Sequence, residues 1–392
     1  MKLAFVIHRY GREMAGGSEA HCRQLAERLL PNHDITVLTT CARDYVTWAN
    51  AYAPGETDIN GVHVVRFPVR RPRRLKTFAD LSDEVFETRA SVDRQDAWFA
   101  ENGPDAPALL DYLRAHGREY DLVLFWSFRY APAYFGLPLV ADRAVLVPTA
   151  EDDPAIRLDV LEEYFRKPAG YLFLTPEEET LVSKRARQPL TPAAIIGSGL
   201  EPAPSPSDRA ALDALHLPRD FVLYLGRIDR NKGCYTLFEY FEQHLADGGK
   251  DTTLVLAGPA TIPVPEHPRI RALGFVEDHV REALLDHAHA LIVPSPYESL
   301  SIALLEGWNH AIPALVNGDC LVLKGQVRRA NGGLYYRSAK DFSAGLTWLL
   351  EHDADARALG RQGRDYVDLE YRWPVVVARV EALLAEAKRP LG

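Results

Sequence analysis

Apolar positions along this chain gather in short unbroken runs, separated by stretches whose apolar residues recur at helical spacing. Residues 2–7 (KLAFVI) form the first run, the mark of a strand buried on both faces. Gly16-Gly17-Ser18-Glu19 follows, and then Ala20, Leu25, Ala26, Leu29 and Leu30 lie on one helical face up to Pro31. Ile35–Leu38 is the next strand, completing a strand–helix–strand unit with a glycine-rich first crossing. Val62–Phe67, Leu122–Trp126, Val145–Val147, Tyr171–Leu174 and Ala193–Ile196 read as further strands. Residues 81–117 read as largely helical, interrupted around Gly103-Pro104. Parallel strands need such crossovers, so this half is expected to be doubly wound.

At 199–208 the text turns to GLEPAPSPSD, where closely spaced prolines suit neither helix nor sheet and read as a semi-rigid connector. A second series begins beyond it: strand Phe221–Leu225, helix 234–246, strand Leu254–Leu256, edge strand Arg271–Phe275, helix 277–287, strand Leu291–Val293, helix 299–308 and strand Pro313–Val316. Helices from about 338 to 388 finish the chain. The fold class expected is α/β, two Rossmann-like doubly wound domains facing across a cleft, with the first spanning about 1–200 and the second 205–372.

At 392 residues the chain suits two such domains. Its 47% apolar and 25% charged residues allow a sizeable core, and a net charge of −9 argues against a nucleic-acid partner. Cys22, Cys41, Cys234 and Cys320 show no metal spacing and read as reduced, buried thiols. No run reaches the about 18 residues of a spanning helix, and the opening residues do not read as a signal peptide, so a cytoplasmic location is expected.

Three motifs carry chemistry. In Ala290–Glu306 a buried strand enters a Pro-Ser-Pro turn, Glu298 stands before a helix and Glu306 follows a little over two turns later. Backbone N–H groups of Ser299, Leu300 and Ser301 would form an anion site at that helix tip. In Leu225–Gly233 (LGRIDRNKG), Gly226 allows a sharp turn, Arg227 offers a planar fork for phosphate oxygens, and Lys232 is a point charge at the carboxyl end of a first strand. In Gly16-Gly17-Ser18-Glu19, Ser18 is the expected N-cap and the glycines permit close approach of a ligand. Each has a plain reading too: helix-capping and surface acids, a solvated basic loop, and an ordinary helix start.

Together these motifs, with LVLAGPA (254–260) and LGFVED (273–278), resemble the retaining family-four glycosyltransferases of the GT-B fold, of the bacterial polysaccharide and glycolipid type, over nearly the whole chain. The resemblance implies a nucleotide-sugar donor held by the second domain and a saccharide or lipid-linked acceptor held by the first. It implies no metal and no cofactor, and a last helix, Trp373–Ala387, that packs back on the first domain, so that 373–392 belongs to it. Arg227 and Lys232 would hold the donor diphosphate, Glu298 the transferred sugar and Glu306 the ribose. Gly16 and Gly17 would close on the diphosphate, and Gly258, Pro259 and Val276 would line the base pocket. Retention of anomeric configuration follows from the family alone. A nucleotide-sugar epimerase or hydrolase on the same scaffold, and a non-catalytic nucleotide-sugar-binding subunit, stay open as other classes.

The chain departs from the family where many relatives carry a histidine in the first domain; here the region reads Val145–Asp153 (VLVPTAEDD). Glu151 or Asp152 either takes its place or caps the next helix. Tyr10, Trp48, Trp126, Phe128 and Tyr130 read as core or as an acceptor floor. The run 66–76, with six basic residues, reads as a solvated loop or as a peripheral contact with an acidic membrane face. His287 with His289, and Asp353 with Asp355, are set aside as metal sites.

Overall fold

A computed structural model describes residues 1–14, 16–249 and 252–388. The chain divides into two compact units, one formed by Met1–Ser198 with the segment from Trp373 onward, the other by Gly199–Arg372.

The first unit holds an eight-stranded sheet in the order β3-β4-β2-β1-β5-β6-β7-β8. Its strands are β1 (Lys2–Val6), β2 (Asp34–Thr40), β3 (Gly55–Ile59), β4 (Val62–Phe67), β5 (Leu122–Trp126), β6 (Ala144–Val147), β7 (Gly170–Phe173) and β8 (Ala193–Ile195). All neighbours run parallel except β3, which pairs antiparallel with β4. The sequence pattern does not predict β3, because its residues (GETDI) are solvated on both faces and carry no alternation. Its signal is the turn: Asn60 and Gly61 both take positive φ between Ile59 and Val62, the two-residue hairpin that Asn-Gly favours. The region 81–117 resolves into helices Leu75–Glu87, Val92–Asn102 and Pro107–His116, with the expected break beside Gly103 and a second one closed by Ser91 as N-cap. Helix Trp373–Ala387 lies in this unit against β7 and β8; its Glu381 accepts from Asn32 Nδ2 at 3.2 Å and pairs with His33 Nε2 at 2.8 Å.

The second unit holds a six-stranded, all-parallel sheet in the order β11-β10-β9-β12-β13-β14. Its strands are β9 (Phe221–Leu225), β10 (Thr253–Ala257), β11 (Ile270–Gly274), β12 (Leu291–Val293), β13 (Ala314–Asn317) and β14 (Gly333–Tyr336). β14 is a short, half-buried run that the pattern also does not predict. Interior strands such as β9, β10 and β12 are buried on both faces, which is why they read as continuous apolar text. The order reverses between β9 and β12. Such a switch point parts the two flanking connections and leaves a crevice at the carboxyl ends of the strands. Among the described residues no helix is long and apolar enough to cross a membrane.

Candidate active site

The loop leaving β9 is built by three glycines. Gly226 takes φ +143 and its N–H donates to Ala257 O at 2.9 Å. Gly258, at the exit of β10, lies so close to it that a Cβ there would stand 2.0 Å from Gly226 O. Ile228 N then donates to Pro259 O, and Thr261 N to Ile228 O, both at 2.9 Å, so the two exits run side by side. Gly233, with φ +74, caps helix Cys234–Ala246 and abuts Pro294 O, where a Cβ would come within 2.4 Å. The loop 226–233 therefore spans the exits of β10 and β12 at the switch point.

This places Arg227, Lys232 and Glu298 together. Lys232 Nζ donates to Glu298 Oε1 at 2.7 Å, and Arg227 Nε pairs with Asp229. Both cations are about a third exposed (35% and 32%), whereas both acids are about 10% exposed. The cations thus stand over the acids, where an anionic ligand can reach them.

Helix Ile302–Asn309 starts later than the expected 299, with Ser301 as its N-cap; Ser301 Oγ accepts from Leu304 N at 3.3 Å. Ser299, Leu300 and Ser301 are loop residues, so the expectation that their N–H groups form the helix tip is corrected. Ser301 N is directed at Gln326 Oε1, 3.5 Å away. The physical reason is the cap itself: a serine whose hydroxyl binds the third amide onward stays outside the helix in extended conformation.

Glu306 sits on that helix and meets Arg281 Nη1 at 2.5 Å, a partner from helix Asp278–His287 that sequence reading missed. Burial pushes the Glu306 carboxyl above its usual range, and the Arg281 charge only partly reverses this. Val276 is half-buried beside exposed Phe275, and Pro259 is exposed.

In the first unit, Gly16 rather than Ser18 is the N-cap of helix Gly17–Leu29. Ser18 Oγ donates instead to buried Glu19 (2.8 Å), which also takes His8 Nε2 (3.1 Å) and Arg9 Nε (2.9 Å). Burial alone would raise the Glu19 carboxyl, but His8 and Arg9 hold it well below the usual range. A Cβ at Gly16 would strike this carboxylate at 2.3 Å, so the glycine loop rests on Glu19. Tyr10, Trp48, Trp126 and Phe128 are fully buried core residues, while Tyr130 is half-buried with its ring 3.9 Å from His8.

Glu151 lies 4.0 Å from Arg129, which also pairs with Asp153. Neither Glu151 nor Asp152 caps the next turn; Asp153 does, accepting from Ala155 N at 3.1 Å. Glu151 follows Thr149, a non-glycine residue at φ +47, and this turn is held from below by Glu178, a residue that sequence reading passed over. Glu178 closes a capping box with Thr175, and its two oxygens accept from Ala150 N and Leu174 N, each at 2.6 Å.

Burial raises the Glu178 pKa from 4.5 to about 8, against the backbone N–H bonds that favour its ionised form. Folding therefore favours the protonated acid. Its contribution to stability is complete below the unfolded pKa and is lost as pH rises from there to about 8. We expect the unfolding free energy of wild type, relative to Glu178→Gln, to fall over that window by up to about 1.4 kcal/mol per pH unit and to level off above it. Urea titrations between pH 5 and 9 measure this; a difference independent of pH counts against it.

The basic run is partly consumed by the fold. Arg66 is buried on the carbonyls of Tyr10 and Thr40, Arg70 pairs with Asp105, Arg71 and Arg74 share Glu101, and Arg73 donates to Asn102 O over the Trp48 ring. Buried Glu101 and partly exposed Asp105 thus offset part of what reads in sequence as a cationic patch, while the side chains of Arg70, Arg74 and Lys76 stay largely exposed. His287 donates to Ser207 O and His289 faces Asp220; Asp353 and Asp355 open helix Asp353–Glu370, where acids suit the dipole.

Residues 219–352 match the family described as Glycosyl transferases group 1. The glycogen synthase of Mycobacterium tuberculosis is 27% identical over 179 residues, 43% of this chain and 43% of that protein, so the match spans less than half of either. Among solved structures, sucrose-phosphate synthase from Thermosynechococcus elongatus superposes with a TM-score of 0.71 at 17% identity, covering 98% of both chains. HepE of Anabaena, in complex with UDP and glucose, gives 0.71 at 14% identity over 98% of this chain and 100% of that one. At such identities the likeness is one of fold: two parallel-sheet, Rossmann-like domains of the GT-B kind.

Proposed function

We propose that this chain, whose residues 219–352 match the family described as Glycosyl transferases group 1, moves a hexose-type sugar from a nucleoside-diphosphate sugar to a saccharide or lipid-linked acceptor, with retention and without a metal. The observation that supports it most is the pair of ligand-accessible cations, Arg227 and Lys232, on one loop at the switch point of the second sheet.

Cleaving the bond between sugar and diphosphate develops positive charge at the anomeric carbon and negative charge on the leaving group. Arg227 and Lys232 receive the growing charge on the diphosphate, and because they are already oriented they need little reorganisation as it forms. Glu298, freed from Lys232 as the diphosphate takes that cation, accepts from the sugar hydroxyls. Glu306 takes the ribose hydroxyls, with Arg281 holding its carboxylate in place. In the first unit, Gly16 and Gly17 are proposed as donor-binding residues and Glu151 as the residue for the sugar or the acceptor. UDP-sugars are the donors to try first, since the HepE structure holds UDP and glucose.

The test is a thermal-shift screen with UDP-, GDP-, ADP- and TDP-sugars, followed by turnover with and without saccharide or lipid-linked acceptors. A rise in melting temperature with one donor class, transfer that requires acceptor, and a product of retained anomer by NMR are expected. Donor consumed equally without acceptor points to an epimerase or hydrolase. Binding without turnover points to a non-catalytic subunit. Either result overturns the proposal.

A further inference from the structure

Asp229 lies inside the loop that carries both cations. It is 7% exposed. One carboxyl oxygen pairs with Arg227 Nε, and the other accepts the backbone N–H of Lys232 at 2.8 Å. A single buried acid thus grips the guanidinium of one cation and the backbone of the other. We infer that Asp229 is the positioning residue that sets the Arg227 fork and the Lys232 backbone for the diphosphate. This rests on the transferase reading above and deepens it.

The chemistry favours orientation over charge. A carboxylate next to a diphosphate site repels the ligand, so on Coulomb grounds alone the acid weakens binding. An arginine held by Nε, however, has the plane of its fork fixed, which two-point recognition of phosphate oxygens requires. A transferred group misplaced by about 1 Å can lose about 10²-fold in rate. The balance therefore predicts that losing this acid harms turnover while sparing, or even tightening, the binding of a nucleoside diphosphate.

The loop does not depend on Asp229 for closure. Gly226 and Gly233 set its two ends, Tyr224 Oη donates to Arg227 O at 2.6 Å, and Gly233 N donates to Arg230 O at 3.1 Å. An asparagine there also keeps an oxygen for the Lys232 N–H, while its NH2 faces the N–H of Arg227 and releases it. Asp229→Asn is accordingly expected to fold, with a melting temperature lowered only by the loss of this one contact.

The experiment compares wild type, Asp229→Asn, Arg227→Ala and the double variant, reading kcat, donor KM, UDP affinity by calorimetry and melting temperature. Expected for Asp229→Asn is a kcat lower by about 10- to 100-fold with UDP affinity unchanged or tighter. In the Arg227→Ala background the same change is expected to cost nothing further, because the acid acts through that arginine. An unchanged kcat, a joint fall of melting temperature, UDP affinity and kcat, or an undiminished extra loss in the double variant each overturns the assignment. Wild-type protein that turns over no nucleotide sugar counts against the transferase reading itself, whereas active wild type beside an unimpaired Asp229→Asn counts against Asp229 alone.

Discussion

Arg227→Ala and Lys232→Ala are each expected to lower turnover of the nucleotide sugar by ~10²–10³-fold, the size seen when one oriented donor to a developing charge is removed. The two changes differ in their side effects. Lys232 neutralises Glu298, whose side chain is only 10% exposed, so truncating the lysine leaves a mostly buried carboxylate facing an incoming diphosphate. Lys232→Ala should therefore also weaken UDP binding, and changing Glu298 to Gln in that background should restore part of the binding without restoring kcat. Arg227→Ala exposes Asp229 in the same way, but that acid keeps its bond from the Lys232 N–H. Its loss should fall mainly on kcat. Steady-state kinetics with a saturating acceptor and calorimetry with UDP separate the two. Near-normal turnover in both variants would defeat the assignment of this loop to the diphosphate.

Gly258→Ala should be among the most destabilising single substitutions in the second unit, at about 3–5 kcal/mol, combining positive-φ strain with a backbone clash. Gly258 has φ +146, and an added Cβ would stand 2.0 Å from Gly226 O, an atom of backbone that no rotamer change can move. Relief requires the exit of β10 to part from the loop bearing Arg227, so the damage reaches the site as well as the fold. Gly248→Ala is the control: it also has positive φ (+75) but nothing within 4 Å of the new Cβ, and should cost only about 1–2 kcal/mol of conformational strain. Urea unfolding of both variants isolates the steric part. Equal losses would show that the packing of these two loops matters little.

The central parallel strands were readable because they are covered on both faces, and burial on both faces leaves a continuous apolar run, whereas half-buried β14 carries none. That is why Leu122–Trp126, Phe221–Leu225 and Leu291–Val293 agree with the structure to the residue. β3 escaped because an edge strand wet on both sides has no such text, although Asn60-Gly61 marked its hairpin. The loop 226–233 was readable as a candidate because its glycines and cations follow a first strand, and the structure puts that strand exit at a switch point of the sheet. The start of helix Ile302–Asn309 was misplaced because either serine in Ser299-Leu300-Ser301 suits an N-cap, and only the backbone conformation chooses between them.

From the linear text came the alternation of buried runs and amphipathic helices, the proline-rich join near 199–208, and the order of the chemical motifs; these depend on local spacing and on which faces meet water. The pairing of charges was decided by tertiary structure. Glu101 and Asp105 pair with arginines some thirty positions away, Arg281 takes Glu306 across two helices, and Glu298 meets Lys232 from another strand exit. An ion pair depends on separations of a few ångströms, and folding brings together residues that the chain keeps far apart.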